Sequence, residues 1–345
     1  RSGIGDKNTT EVHMTSISVI ICTRNRADDL KETLESLAGV HIPAGWNVEC
    51  IIVDNASTDD TQRVIAESDL CSFDVHVIEE KRSGKAYAAN TALAYATGDI
   101  LLFTDDDVRI PANWLTGMVK PIHVEGADAV VGRVALAQHL ERSWQGADPR
   151  LTAFLADTSS LDFRSPQRLV GANMAVVGKV FDVIPGFDVR LGPGSELGLG
   201  EETLLSKQIR YMGFSLKATP DVTVEHHCSE ERLSRVSYLK AVEQVGRSQG
   251  YIDYHWEQVP VPFIRVMGGL VRKYLELKTK RILRRGDLQD EGLPVWELAL
   301  LIKIYHRRQL LAERTMPRKY VRPLLGTTSP YVGASSSYKD ALSEY

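Results

Sequence analysis

Asp99-Ile100-Leu101-Leu102-Phe103-Thr104-Asp105-Asp106-Asp107 joins an apolar run of strand length to three adjacent carboxylates, with Pro111 and a helical pattern following. Three neighbouring carboxylates repel one another, so at a strand end they need a compensating cation or a solvated position. Hard divalent cations such as Mg²⁺ and Mn²⁺ prefer oxygen ligands and share their coordination between one or two carboxylates and substrate phosphates. Alone, the triplet reads better as an exposed acidic turn. Its surroundings decide between the two readings.

Upstream of it, β-branched runs alternate with amphipathic segments from Ser18 to about Ala137, the pattern of βαβ units on a mainly parallel sheet. Strands are predicted over 18–22, 48–53, 75–79, 99–104 and 127–136. Helices are predicted over 28–37, 60–67, 85–96 and 113–124, the second capped by Thr58 or Asp59. In open α/β sheets the ligand lies beyond the carboxyl ends of the strands, so the residues just after each strand carry the information. The first strand ends in Thr23, Arg24 and Arg26, the second in Asp54 and Asn55, and the third in a cationic stretch that reaches Gly84 and Lys85 at a helix N-terminus. Guanidinium groups and helix N-termini suit phosphate, and carboxylate and amide groups suit base and ribose edges. Each cluster is commonplace, but four consecutive strand ends with nucleotide-compatible groups are not.

Beyond a looser region at 138–167, the run RLVGANMAVV (168–177) leads to a short helix expected at 179–184. The Gly-rich stretch 191–200 then reads as a linker or a mobile lid before a helix from Glu201 to about Met212. A strand VTVEHH (222–227) closes this part, and helices are expected over 233–251, 262–283 and 293–313.

With 345 residues, 43% hydrophobic and 25% charged, the chain has the composition of an ordinary globular protein able to bury a large core. No run reaches the roughly 18 apolar residues of a spanning helix, and the opening residues lack a secretion pattern, so a cytoplasmic protein is expected. Residues 1–15 are expected to be a tail or expression remnant, and residues 326–345 a flexible tail. Cys22, Cys50, Cys71 and Cys228 are scattered without metal-ligand or disulfide spacing. Between Phe263 and Arg322 there are 15 Lys and Arg against 6 Asp and Glu, whereas the whole chain carries a net charge of −4. A basic amphipathic helix pair of this kind either lies peripherally on an anionic membrane or forms a solvated face. No nucleic-acid-binding motif accompanies it.

The blocks SVIICTRNRADDLKETLESL (18–37), VDNASTDDT (53–61), KRSGKAYAANTAL (81–93) and the Asp triplet agree in order and spacing with family-2 glycosyltransferases, and the chain resembles them from Ser18 to about Glu231. The resemblance implies an α/β GT-A fold, Rossmann-like with a mainly parallel sheet flanked by helices, over 16–231, followed by a helical C-terminal region over 232–325. It implies an inverting transfer of a sugar from a nucleotide-sugar, UDP-linked in most of the family, to a saccharide or lipid-linked acceptor of cell-surface polysaccharide or glycolipid assembly. By the same resemblance Asp54 contacts the base, Lys85 lies near the nucleotide, and Asp105, beside Asp106, faces the ribose. Asp107 holds a Mn²⁺ or Mg²⁺ ion and the diphosphate, Asn173 of GANMAV (171–176) contacts donor sugar or acceptor, and Glu202 stands at the base position with Glu201 as its competitor. Whichever glutamate is not the base then favours the helix N-terminus electrostatically. His226 of the His226-His227 pair resembles the family's closing histidine, which touches metal or diphosphate; a purely structural pair is the other reading. Asn55 departs from the commoner second aspartate of the VDD block, and glutamate replaces the commoner aspartate at 202.

Two other enzyme classes share the sheet and lack support. The first strand is not followed by GxGxxG, against a dinucleotide oxidoreductase, and no GxxxxGK[ST] loop exists, against a P-loop phosphotransferase. A non-catalytic nucleotide-sugar or glycan-binding module is the alternative that shares every motif, and it differs in tolerating loss of Glu202.

Overall fold

The structure, a computed structural model, describes residues 15–320 and Leu324. The expected terminal tails at 1–15 and 326–345 lie, apart from residue 15, outside the described residues.

The first half follows the alternation seen in the sequence. β1 (Ser16–Thr23), β2 (Asn47–Asp54), β3 (Asp74–Glu79) and β4 (Ile100–Thr104) are separated by α1 (Ala27–Ala38), α2 (Thr61–Glu67) and α3 (Lys85–Tyr95). Ile17, Val19, Ile20 and Ile21 are all buried, so β1 is covered on both faces, as a near-continuous apolar strand of a parallel sheet must be. Leu30, Leu34 and Leu37 of α1 repeat at helical spacing and are buried in the same core. The N-cap position of α2 falls to Asp60, without a side-chain cap bond, and not to Thr58 or Asp59 as predicted; the Asp59 carboxylate instead ties α2 to α1, accepting from Thr61 N and from Ala27 N, both at 3.1 Å.

After β4 come the two-residue β5 (Val108–Arg109), α4 (Trp114–Glu125), β6 (Ala129–Leu136), the short α5 (Pro149–Ala153), β7 (Asn173–Val177), α6 (Glu201–Tyr211) and β8 (Leu216–His226). The eight strands lie in the order β3-β2-β1-β4-β7-β6-β8-β5. Strands β1 to β4 are mutually parallel, as are β6 and β8, while β7 runs antiparallel to both of its neighbours and β5 antiparallel to β8. This mixed, mostly parallel sheet flanked by helices agrees with the arrangement that the sequence resemblance implies. The carboxyl ends of β1, β2 and β4 share one edge, which receives the polar strand-tip residues.

Three expected boundaries differ by more than two residues. The run at 168–177 enters the sheet only from Asn173, because Asn173 N turns back to Val170 O at 3.0 Å. The helix expected at 179–184 is a single 3-10 turn, Gly178–Val180. β8 begins at Leu216, earlier than residue 222, since its first part pairs with β6 and the register shifts at Gly132/Arg133.

The C-terminal part is helical, with α7 (Arg235–Tyr251), a π turn (Ile252–Trp256), α8 (Phe263–Leu283) and α9 (Val295–Glu313). α7 and α9 approach closely because α7 presents glycines: a Cβ on Gly246 would lie 2.6 Å from Tyr305 Cβ, and one on Gly250 2.7 Å from the His306 carbonyl oxygen. Tyr238, Val242, Leu298, Leu301 and Ile304 fill the space between them. The buried Glu297 carboxylate joins three helices, accepting from Arg235 at 2.6 Å and Arg281 at 2.7 Å. Asp188 Oδ2 anchors this part to the sheet domain, accepting from Tyr251 at 2.7 Å, Trp256 at 2.9 Å and Tyr320 at 3.0 Å. Among the described residues no helix is long and apolar enough to cross a membrane.

Candidate active site

Beyond the strand ends lies a cavity of about 690 Å³ lined by Thr23, Arg24, Arg26, Asn55, Lys85, the Asp105–Asp107 triplet, Glu201, Glu202 and His226. Strand geometry explains most of this convergence. β1 and β4 are hydrogen-bonded neighbours, so the loops that follow Thr23 and Thr104 emerge side by side. β8 places His226 opposite Val108, just past the triplet.

Charge compensation in this cluster is explicit. Arg26 Nη1 donates to Asp106 at 3.0 Å and also to Asp107, while Lys85 Nζ pairs with Asp105 and stands 3.8 Å from Glu202 Oε1. Burial raises Asp106 to about 6, with Arg26 opposing it. Burial would raise Asp107 as well, but His226 and Arg26 outweigh it and hold this carboxyl well below the usual carboxylate range. Burial opposes the Lys85 charge, yet Asp105, Glu202 and Glu201 raise its pKa above the ordinary lysine value.

Asp105, Asp107 and His226 each offer a ligand atom within 4.8 Å of the others. His226 Nδ1 lies 2.7 Å from the Leu155 carbonyl oxygen, which accepts only from an N–H, so the neutral ring carries its proton on Nδ1. Nε2 then presents a lone pair towards Asp107 Oδ1 at 3.0 Å. Two lone pairs at that distance repel unless the imidazole is protonated or a cation is shared. A carbonyl holding the distal nitrogen is also how metal-binding histidines are oriented. The donor set, two carboxylates and one oriented imidazole, fits a Mn²⁺ or Mg²⁺ ion completed by phosphate oxygens.

Glu201 and Glu202 open α6 and reach the cavity from the far side. Burial, followed by repulsion from Glu202, raises Glu201 to about 8. Burial also raises Glu202, with Lys85 opposing. The Glu202 carboxylate lies so close to the backbone of Gly171 that a Cβ there would be 2.0 Å from Oε1, while Glu201 faces Gly192. The Gly-rich stretch forms a wall of the cavity through Pro193, Gly194, Leu199 and Gly200, and Pro193 O accepts from Lys85 N at 2.9 Å.

Three strand-tip residues are used inside the protein. Asn55 Nδ2 donates to the carbonyls of Glu80 at 2.9 Å and Arg82 at 2.6 Å, and its Oδ1 accepts from Gly84 N at 2.8 Å. An aspartate cannot make the two donated bonds, which gives a structural reason for asparagine in place of the family's commoner residue. Asp54 is buried, accepting from Ser57 N at 3.0 Å and Gln62 Nε2 at 3.1 Å. Asn173, expected to contact donor sugar or acceptor, is fully buried; its Oδ1 accepts from Trp114 Nε1 and its Nδ2 donates to Arg133 O, both at 2.9 Å. β7 points this side chain into the sheet core, away from the cavity. Arg24 is tied to Ser83 Oγ at the cavity rim.

The opposite wall was not foreseen. Phe154, Arg168, Arg232, Ser248, Ile252 and Ile302 line it, drawn from the loose region, the run that leads into β7, the turn before α7, α7 itself, the π turn and α9. Arg168 makes no hydrogen bond or ion pair among the described residues, and Arg232 donates to Phe154 O at 2.8 Å. No local sequence pattern marks these residues, since they are brought together only by packing of distant helices.

A mixed α/β sheet whose strand tips gather cations, a carboxylate-histidine cluster and two glutamates with raised pKa values around one cavity offers groups suited to a divalent cation and a nucleotide diphosphate. Residues 18–178 match the sequence model of glycosyl transferase family 2. Succinoglycan biosynthesis protein ExoM of Rhizobium meliloti is 33% identical over 120 residues, 34% of this chain and 38% of that protein. Glycosyltransferase AglE of Haloferax volcanii is 30% identical over 119 residues, 34% of this chain and 39% of that protein. The undecaprenyl-phosphate 4-deoxy-4-formamido-L-arabinose transferase of Klebsiella pneumoniae is 29% identical over 120 residues, 34% of this chain and 36% of that protein. The chain thus aligns with less than two fifths of the length of these relatives. Among solved structures, mannosyltransferase PcManGT from Pyrobaculum calidifontis, in complex with GDP-Man and Mn²⁺, superposes with a TM-score of 0.49 at 18% identity, covering 95% of this chain and 80% of that one.

Proposed function

We propose that this chain is an inverting glycosyltransferase that moves a sugar from a nucleotide-sugar, UDP-linked by family frequency, to a hydroxyl of a saccharide or lipid-linked saccharide in cell-surface polysaccharide or glycolipid assembly. The observation that carries the reading is the opposition, across one cavity, of the Asp105–Asp107–His226 cluster and the Glu201–Glu202 pair, with Lys85 bridging them. The acceptor class rests on the names of the relatives, which concern succinoglycan biosynthesis and transfer involving undecaprenyl phosphate.

Asp107 and His226, with Asp105, would hold the divalent cation, which when bound neutralises the charge that develops on the departing diphosphate. Arg24, Arg26 and Lys85 sit at the same rim and attract phosphate. Glu202 acts as general base on the acceptor hydroxyl. Its raised pKa strengthens it as a base, and its carboxylate is fixed by the Gly171 backbone and Lys85. Glu201, raised to about 8, stays protonated at neutral pH and lowers the charge beside the base.

The test is thermal unfolding with UDP, GDP, dTDP and CDP, each with and without Mn²⁺, followed by nucleotide release from the sugar conjugates of whichever binds. A ligand at about 100 times its dissociation constant adds roughly 2.7 kcal/mol. A metal-dependent shift lost in Asp107→Ala, with turnover lost in Glu202→Gln, is expected. Metal-dependent binding with turnover unaffected by Glu202→Gln would point instead to a binding module or another base, and no shift with any nucleotide at millimolar concentration would remove the reading.

A further inference from the structure

We propose that α8 is an interfacial helix that seats this chain on an anionic phospholipid surface. Of the two helices expected to carry the basic charge, α9 is packed into the helical core through Leu298, Leu301 and Ile304, while α8 buries a single side chain, Leu277. Leu277 and the half-buried Leu270 make the inner face of α8. A second apolar stripe points elsewhere. Ile264, Val271, Leu275 and Ile282 are 86%, 51%, 58% and 76% exposed. Their spacing, i, i+7, i+11 and i+18, places them within a narrow strip roughly 130° round the helix from Leu270 and Leu277. A soluble helix has no use for such a row, since each of these side chains gains by leaving water.

Cations identify the occupant. Arg265, Arg272 and Lys278 flank the stripe and are exposed, and Arg285 follows at the helix end. Arg265, Arg272 and Arg285 have no ion pair among the described residues. The one acidic residue of α8, Glu276, is already occupied by Lys273 at 2.7 Å and Lys280 at 3.0 Å. A second copy of this chain docking stripe to stripe would bring these uncompensated cations together, whereas an anionic bilayer takes the apolar row at its acyl boundary and the cations at its headgroups. The charge is local, because the chain as a whole is at −4. The inference does not depend on the sugar-transfer reading.

The test is co-sedimentation of the full chain with vesicles of phosphatidylcholine alone and with vesicles in which about a third of the lipid is phosphatidylglycerol, at low and moderate salt. Binding to the anionic vesicles is expected, weakened by salt and absent with phosphatidylcholine alone. The triple variant Ile264→Ser, Leu275→Ser, Ile282→Ser should lower partitioning by about tenfold or more. Arg265→Glu with Arg272→Glu should do the same. Both variants change exposed positions, so circular dichroism melting should match the parent chain. The proposal is overturned if the parent chain ignores anionic vesicles at low salt, if the variants bind as the parent does, or if light scattering shows a dimer that the serine variant abolishes while vesicles are not bound.

Discussion

His226 Nε2 lies 3.0 Å from Asp107 Oδ1, while Nδ1 of the same ring is held 2.7 Å from the Leu155 carbonyl oxygen. The carbonyl fixes the ring orientation and its proton, so the nitrogen that faces Asp107 is the one free to ligate a cation. His226→Leu keeps a side chain of similar bulk but offers no lone pair. Mn²⁺ affinity is expected to fall by at least about 10- to 100-fold, the loss typical even of outer-shell partners. Titration of the free Mn²⁺ electron paramagnetic resonance signal reads this directly, and unchanged affinity would exclude His226 as a ligand.

Glu201 gives a pH dependence with a definite sign. Its folded pKa is raised to about 8 by burial and by Glu202, above the ordinary glutamate value of 4.5. Between those two values the folded chain keeps a proton that the unfolded chain has released, so stability falls as pH rises through this window. Glu201→Gln mimics the protonated form at every pH. It should flatten the decline between about pH 5 and 8 and raise the melting temperature most on the alkaline side, as scanning calorimetry across that range would show. A melting curve with the parent's pH dependence would mean that Glu201 is not held protonated.

Asn55→Asp restores the family's commoner residue and should nonetheless destabilise this chain. The two bonds that Nδ2 donates to the Glu80 and Arg82 carbonyls are lost, and a carboxylate oxygen is left facing a carbonyl. A cost of about 1–3 kcal/mol is expected from the unsatisfied buried groups. Urea unfolding at neutral pH measures it, and a neutral or stabilising change would show that the loop at 80–84 is held by other contacts.

The same residue shows where sequence reading stops. The strand tips were legible because parallel strands at successive positions must open to one edge, so Thr23, Arg24, Arg26, Lys85, the Asp triplet and His226 were brought together as their order implied. What a side chain does once there is a matter of direction. Asn55 and Asn173 are amides at strand ends like many ligand contacts, yet each has its donors and acceptor used within the protein. The antiparallel β7 between β4 and β6 was hidden for a different reason: local periodicity gives a strand but not its neighbour. The wall containing Arg168, Arg232 and Ile302 depends on three segments far apart in sequence, whose meeting no local pattern encodes.

Gly171→Ala separates the position of the base from the stability of the fold. A Cβ at this site would meet Glu202 Oε1 at 2.0 Å and Lys85 Nζ at 3.3 Å. Both atoms are the far ends of flexible side chains, so they can move aside without disturbing the core. Stability should change by less than about 1 kcal/mol, within the ordinary range of single substitutions. The Glu202 carboxylate, however, has to leave the site where the Gly171 backbone holds it, and a displacement of about 1 Å at a reacting group can cost on the order of 100-fold in rate. The expected result is a variant that melts like the parent and binds nucleotide with metal as the parent does, but turns over about as slowly as Glu202→Gln. Full turnover in Gly171→Ala would show that the proton is taken by another group, and Glu201→Gln would then be the variant to assay for lost activity.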